Sequence, residues 1–250
     1  MTMKHLVCLL TSKDPEKLKR SIESVIPQTK DVVVVCNTLD SSYEQIATLI
    51  AESYGLQCIV TESIGTPAKG KNSVLEYFLS TDYDYLTQVD ADDYLTSDAI
   101  SKIHQLIEQQ PDVIGITNNY MTFNGKEYTA QQFFGSPDIY SFAGISGADA
   151  LSMIALGKFM AANLKYNRML LYSRKCVESF RFDETFFGSE DVIASYKLYY
   201  DPNLKYLLTD EHLYVYDLEE GGNFQSFLSN PTEVKRVRKE LVSIVNGRHV

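Results

Sequence analysis

Short apolar runs alternate with longer stretches of helical spacing through the first half of the chain. Residues 6–10 and 32–35 (four valines) carry consecutive apolar side chains, and 56–60, 85–89 and 113–117 are further short, mostly apolar runs. A strand with one wet face would alternate instead, so the first two runs read as strands covered on both faces and the other three as strands. Asp14-Pro15 supplies an N-cap and a first helical position, and Leu18, Ile22, Val25 and Ile26 follow at helical spacing. Ser41 and Ser42 open a second helix with Ile46, Leu49 and Ile50 on one face, closed by Gly55. Residues 70–79 make a third helix. Residues 97–110 make a fourth, with Ile100, Ile103, Leu106 and Ile107 inward and Pro111 ending it. Five strands alternating with four helices predict an α/β fold whose sheet is mostly parallel and flanked by helices.

The second half is less regular and predicts an α+β arrangement. Asn124-Gly125 suits a hairpin turn within 119–129, and 131–147 is rich in Gly, Ser and aromatics without a period. Helices are expected over 149–159, 191–200 and 232–245, and short strands over 169–172, 205–208 and 213–216. One domain over 1–216 is expected, made of a first half (1–118) and a second (119–216), followed by a loop and helix (217–250). That last helix, with Val234, Val237 and Leu241 in register, suits either a homodimer contact or a cover for the sheet.

Charge narrows the partners. The chain carries 23 Lys and Arg against 33 Asp and Glu, a formal net charge of −10, the wrong sign for a nonspecific grip on nucleic acid. The cluster Lys235, Arg236, Arg238 and Lys239 reads as a solvated helix face. Cys8, Cys36, Cys58 and Cys176 lack close spacing, which favours buried thiols over zinc. No run approaches the ~20 apolar residues that span a bilayer, and residues 1–5 lack a signal-peptide core. A soluble, cytoplasmic protein without stable membrane insertion is expected.

The chemistry concentrates where the fourth strand ends, in Asp90-Ala91-Asp92-Asp93. Open parallel sheets gather ligands at the carboxyl ends of their strands. Adjacent carboxylates repel one another unless a positive group sits among them. Mg²⁺ or Mn²⁺ would serve, taking oxygen ligands partly from protein and partly from substrate phosphates. The plainer alternative is a solvated acidic turn ahead of the next helix. The position of the cluster in the alternation favours the metal.

With these residues in view, the chain resembles family 2 glycosyltransferases of the GT-A fold from about residue 6 to about residue 216. The resemblance rests on the first strand and helix (Val7-Cys8-Leu9-Leu10-Thr11 through Ser24-Val25-Ile26-Pro27-Gln28-Thr29) and on Gly65-Thr66-Pro67-Ala68-Lys69-Gly70-Lys71-Asn72. It rests equally on the D-x-D of Asp90-Ala91-Asp92, and on Phe182-Asp183-Glu184 followed by Glu190-Asp191. It implies a metal-dependent, inverting transfer of a sugar from a nucleotide-diphosphate donor, UDP-sugar favoured, to an acceptor hydroxyl. Asp92 would coordinate the metal on the diphosphate, and Asp90 would contact the ribose, or the metal through water. Thr11 and Asn37 would hold the base. The family usually has acids after the second strand, where this chain has Cys36-Asn37-Thr38, and Asn37 offers a donor and an acceptor instead. Lys71, where the family often has Arg, would neutralise a phosphate as a point charge. Asp191 would be the base and Glu190 would orient hydroxyls, with helix capping the alternative for both. His212 is a candidate third metal ligand. Gly221-Gly222-Asn223 suits a closing loop, and Phe133, Phe134, Tyr140 and Phe142 suit either sugar stacking or core packing.

Three other readings stay open. A nucleotidyltransferase making nucleotide sugars would carry a glycine-rich loop after the first strand, where this chain has Thr11-Ser12-Lys13-Asp14. A non-catalytic nucleotide-sugar-binding protein would not need both Asp92 and Asp191. A glycosyltransferase acting on a modified base in DNA would use the same site, with a saccharide or small-molecule acceptor the simpler partner.

Overall fold

The structure is a computed structural model describing residues 3–117, 120–123, 126–129, 132, 144, 148–163, 168–186, 188–218 and 223–247. The chain runs β1 (His5–Thr11), α1 (Pro15–Val25), β2 (Val32–Cys36), α2 (Ser41–Ser53), β3 (Gln57–Val60), α3 (Pro67–Leu79), β4 (Tyr85–Asp90) and β5 (Tyr94–Leu95). There follow α4 (Ala99–Ile107), β6 (Val113–Ile116), β7 (Tyr120–Phe123), β8 (Lys126–Thr129), α5 (Ala148–Asn163), β9 (Arg168–Ser173) and α6 (Arg174–Ser179). The last elements are α7 (Glu190–Tyr199), β10 (Tyr206–Thr209), β11 (Tyr214–Asp217), α8 (Asn223–Leu228) and α9 (Pro231–Asn246).

A seven-stranded sheet has the order β10-β6-β9-β4-β1-β2-β3, and every neighbouring pair is parallel except those of β9. The runs of β1 and β2, predicted as strands buried on both faces, behave accordingly, and all five residues of β2 are buried; β3, at the sheet edge, is exposed or half-buried throughout. Their side chains divide by the two-residue strand period. Val7, Leu9, Val32 and Val34 pack with Leu18, Ile22, Ile50 and Ile103 of α1, α2 and α4 on one face. Leu6, Cys8, Val33 and Val35 pack with Val74, Leu75 and Phe78 of α3 on the other. A smaller sheet, β5-β11-β7-β8, lies against a second core with α5, α7, α8 and α9.

Local chemistry fixes where the helices begin. Asp14 caps α1, its carboxylate accepting from the Glu16 and Lys17 amides, with Pro15 at the first position. The third helix begins three residues before the expected Gly70, because Thr66 accepts from the Lys69 amide and Pro67 takes the first helical position. Lys71 therefore lies in the second turn and is buried rather than at a solvated start. The final helix runs Pro231–Asn246, capped by Asn230. It buries Val234, Val237 and Leu241 in the second core, while Lys235, Arg236, Arg238 and Lys239 are exposed. The turn Asn124-Gly125, the aromatics Phe133, Phe134, Tyr140 and Phe142, and Gly221-Gly222 lie outside the described residues. The four cysteines are unpaired thiols.

Candidate active site

A cavity of about 470 Å³ opens at the carboxyl ends of β1, β2 and β4. Thr11, Asn37, Lys71, Asp90, Asp92, Glu190 and Asp191 all line it. Residues expected to act together, drawn from five elements, thus meet in one place. Among the described residues, two of the three non-glycine residues with positive φ, Asp14 at 65° and Ser189 at 63°, also line it. Such strained backbone persists only where the surroundings over-determine it. Here it turns the starts of α1 and α7 toward the cavity.

At the end of the cavity formed by β1 and β2, Thr11 Oγ1 is hydrogen-bonded to the Tyr43 hydroxyl. The Asn37 amide nitrogen donates to Thr61 Oγ1 and the Glu62 carbonyl, both at 2.9 Å. That corrects the expectation of a free donor and acceptor. Asn37 ties the exit of β3 to β2, and only its Oδ1 can turn to a ligand. Gly70 sits close beside it, where a Cβ would meet Asn37 Oδ1 at 3.4 Å and Leu10 at 3.3 Å.

The three acids at the end of β4 have three different fates. Asp93 is fully buried and structural, accepting from the Tyr214 hydroxyl at 2.6 Å and the Asp217 amide at 2.9 Å. Burial, with Asp92 beside it, pushes its carboxyl well above the usual range. Asp90 accepts from Arg168 Nη2 at 2.5 Å. Burial opposes its ionisation, but Lys71 and Arg168 prevail and bring it down to about 2. Asp92 is exposed to the cavity, and its side chain has no hydrogen-bond or ion-pair partner among the described residues. Its backbone carbonyl is held by Arg20 Nη2 at 2.7 Å. Displacement of bulk water by the surrounding protein, then the Asp90 charge, raises its carboxyl above the usual value, against the pull of Lys17.

Lys71 places Nζ 2.6 Å from Glu190 Oε1 and 3.9 Å from Asp191 Oδ2. Burial works against the ammonium, but Glu190, Asp191 and Asp90 outweigh it and raise its pKa. Its charge is therefore already matched by protein. Glu190 is 3% exposed, against 39% for the Asp191 side chain. Asp191 accepts from the Val192 amide at 2.8 Å and faces the cavity. Asn72 completes the join: it donates to Glu184 Oε1 and the Phe182 carbonyl and accepts from the Phe182 amide at 2.8 Å.

His212 does not join the acids. Its ring stacks on Tyr120 at 4.1 Å, and it is absent from the cavity lining. Among the described residues, no three His, Cys, Asp or Glu side chains form a group that could hold a metal. The expected set of Asp90, Asp92 and His212 is thereby corrected. The loop before β11 commits His212 to the small sheet, with its carbonyl accepting from Thr96. Asp217, at the carboxyl end of β11, reaches the cavity instead, paired with Arg20 at 2.8 Å and Lys17 at 3.4 Å. The rule that singled out Asp90, an acid closing an apolar strand, would have found it. Arg168, stacked 4.2 Å over Tyr214, was also unforeseen. A lone Arg heading the apolar run Met169-Leu170-Leu171 was its signal.

The sequence profile of the family described as "Glycosyl transferase family 2" matches residues 7–177. The chain belongs to this family. The match spans β1 through the Cys176-Val177 turn of α6, so it includes Asp90 and Asp92 and ends before Glu190. Among solved structures, this family 2 glycosyltransferase is similar to S. aureus TarS 1–349 in complex with UDP-GlcNAc. The two share 18% identity with a TM-score of 0.61, over 96% of this chain and 67% of that one. The same TarS 1–349 in complex with UDP gives 14% identity and a TM-score of 0.56, over 98% and 65%. Against the longer TarS structure the values are 19% and 0.59, and this chain spans 40% of it. At these identities the likeness is one of fold. No curated protein sequence matches the glycosyltransferase. No helix among its described residues is long and apolar enough to cross a membrane.

Proposed function

We propose that this glycosyltransferase moves a sugar from a nucleotide-diphosphate donor, UDP-sugar favoured, to an acceptor hydroxyl with inversion, using Mn²⁺ or Mg²⁺. The observation that carries the reading is Asp92, an acid in the cavity whose side chain has no hydrogen-bond or ion-pair partner among the described residues. Asp90 is held by Arg168, Glu190 by Lys71, Asp217 by Arg20, and Asp93 by Tyr214. Among the described residues, the charged side chains lining the cavity are Asp14, Asp90, Asp92, Glu190, Asp191 and Asp217 against Lys13, Lys17, Lys71 and Arg168. When all of these are ionised, they leave two negative charges over, which one divalent cation would balance.

A lone carboxylate with Asp90 behind it fits a hard cation that takes its remaining oxygens from diphosphate and water. Asp92 would hold it, with Asp90 in support, and when bound it would stabilise charge on the departing diphosphate. Thr11 and the Asn37 Oδ1 line the end suited to the base. Asp191, hydrogen-bonded to the Val192 amide and open to the cavity, would take the proton of the acceptor hydroxyl. Glu190 neutralises Lys71 and holds the start of α7, which fixes where Asp191 sits.

Thermal denaturation with UDP, with and without Mn²⁺, tests the reading. At a hundredfold excess over Kd, UDP with metal stabilises by about 2.7 kcal/mol, several degrees in Tm. Asp92→Asn should abolish the metal-dependent part of the shift. Asp191→Asn should keep the shift while sugar transfer falls by two or more orders of magnitude. A full shift without metal, or an undiminished one in Asp92→Asn, would sink the metal assignment.

A further inference from the structure

The cavity lining is of two unlike kinds, and only the polar kind is accounted for by a nucleotide sugar. The small sheet and helices α5 and α8, with their flanks, add Met121, Met153, Leu156, Met160, Leu218 and Phe227 to the lining. None of these side chains carries a charge or a hydrogen-bonding group stronger than a thioether. All but Met160 belong to the buried part of the second core. Close-packed cores leave few voids larger than a water molecule, so the presence of these residues in the lining of a cavity of about 470 Å³ is an unusual feature. Gly157, inside α5, lines it too, where a helix interior would gain from alanine. The polar and apolar parts of the lining adjoin at α7. Asp191 borders the polar side and its neighbour Val192 also lines the cavity, and Tyr216 at the junction lies 5.6 Å under Arg168.

From this we infer that the acceptor is an amphipathic alcohol whose apolar body occupies the methionine-lined part of the cavity and whose hydroxyl meets Asp191. The inference rests on the sugar-transfer reading above and names its acceptor class. Against these described side chains, a saccharide acceptor would bury several hydroxyls with nothing to pair them. An aliphatic body loses water without that penalty, and flexible methionines adapt to its shape. In the reaction the alcohol oxygen bonds to the anomeric carbon and the bond from that carbon to the diphosphate oxygen breaks. The hydroxyl proton passes to Asp191, and the electron pair leaves on the nucleotide diphosphate.

Saturation-transfer NMR on the whole chain, with saturating UDP and Mg²⁺, can compare 1-butanol, 1-hexanol and 1-octanol with cellobiose. Affinity is expected to rise about threefold to fourfold per added methylene, with cellobiose at least tenfold weaker than octanol. Met153→Gln should flatten the series while leaving UDP binding within twofold of wild type. Gly157→Leu, which narrows that part of the cavity without removing an apolar group, should weaken octanol more than butanol. Equal affinity for all three alcohols, tighter binding of cellobiose, or an unchanged series in both variants would overturn the inference. UDP retention with a flat series would count against the acceptor class alone. A steep series in protein that fails to bind UDP would leave the apolar site supported and the donor reading refuted.

Discussion

Lys71 illustrates what a residue-scale reading could and could not see. Its type and its place in the glycine and basic segment marked it as functional, and it does line the cavity. The sequence could not reveal that Glu190, 119 positions away, would sit 2.6 Å from Nζ in a nearly water-free setting. The same blindness affects Asn37, whose donors are consumed by Thr61 and Glu62, and the acid trio, where burial alone separates structural Asp93 from exposed Asp92. The residue types were legible and their partners were not, because partnership depends on distant chain. Removing one member of a buried ion pair leaves the other charged and unsolvated. Lys71→Met is therefore expected to lower stability by about 3–5 kcal/mol in urea titrations near neutral pH. Replacing both members, in Lys71→Met with Glu190→Leu, should be less damaging than Lys71→Met alone. A single-variant loss below about 1 kcal/mol would mean the pair is not ionised in the folded protein.

Among the elements, those with a clean period were readable and those defined by tertiary pairing were not. The apolar runs of β1, β2 and β4 and the spaced faces of α1 and α4 follow from the chain itself. Nothing local says that β9 inserts antiparallel between β4 and β6, or that the two residues of β5 join β11. Yet that insertion delivers Arg168 to Asp90. The join between α3 and the segment before α7 is another long-range element, made by the Asn72 amide. Asn72→Ala deletes three hydrogen bonds at once and leaves the buried Phe182 amide unpaired. A loss of about 1–3 kcal/mol is expected. Exchange of the Phe182 amide should accelerate while that of β1 amides stays slow, because the defect is local. Uniform acceleration across both would show that this join holds the whole sheet rather than one segment.

At the scale of the whole molecule, acid stability should report on a histidine that takes no part in the site. His5 opens β1, 5% exposed, with Nε2 at 2.8 Å from Thr87 Oγ1 and Nδ1 at 3.1 Å from His104 Nε2. Burial, helped by the charge His104 can carry, pulls its pKa down to about 3 from 6.5. Between those values the unfolded chain binds a proton that the folded one refuses, so stability falls as pH drops below 6.5. From pH 7.5 to pH 5.5 this one group should cost about 1.4 kcal/mol. Asp93 works in the opposite sense, since its raised carboxyl favours the protonated folded state as pH falls. The wild-type profile alone therefore cannot isolate His5. The comparison that does is urea titration at both pH values for wild type and His5→Asn, which shares Asp93 and every other acid. Asparagine can still bond Thr87 but cannot titrate, so the variant should lose about 1.4 kcal/mol less than wild type over that interval. Parallel losses in the two proteins would place a charged His5 inside the fold, and with it water between β1 and α4.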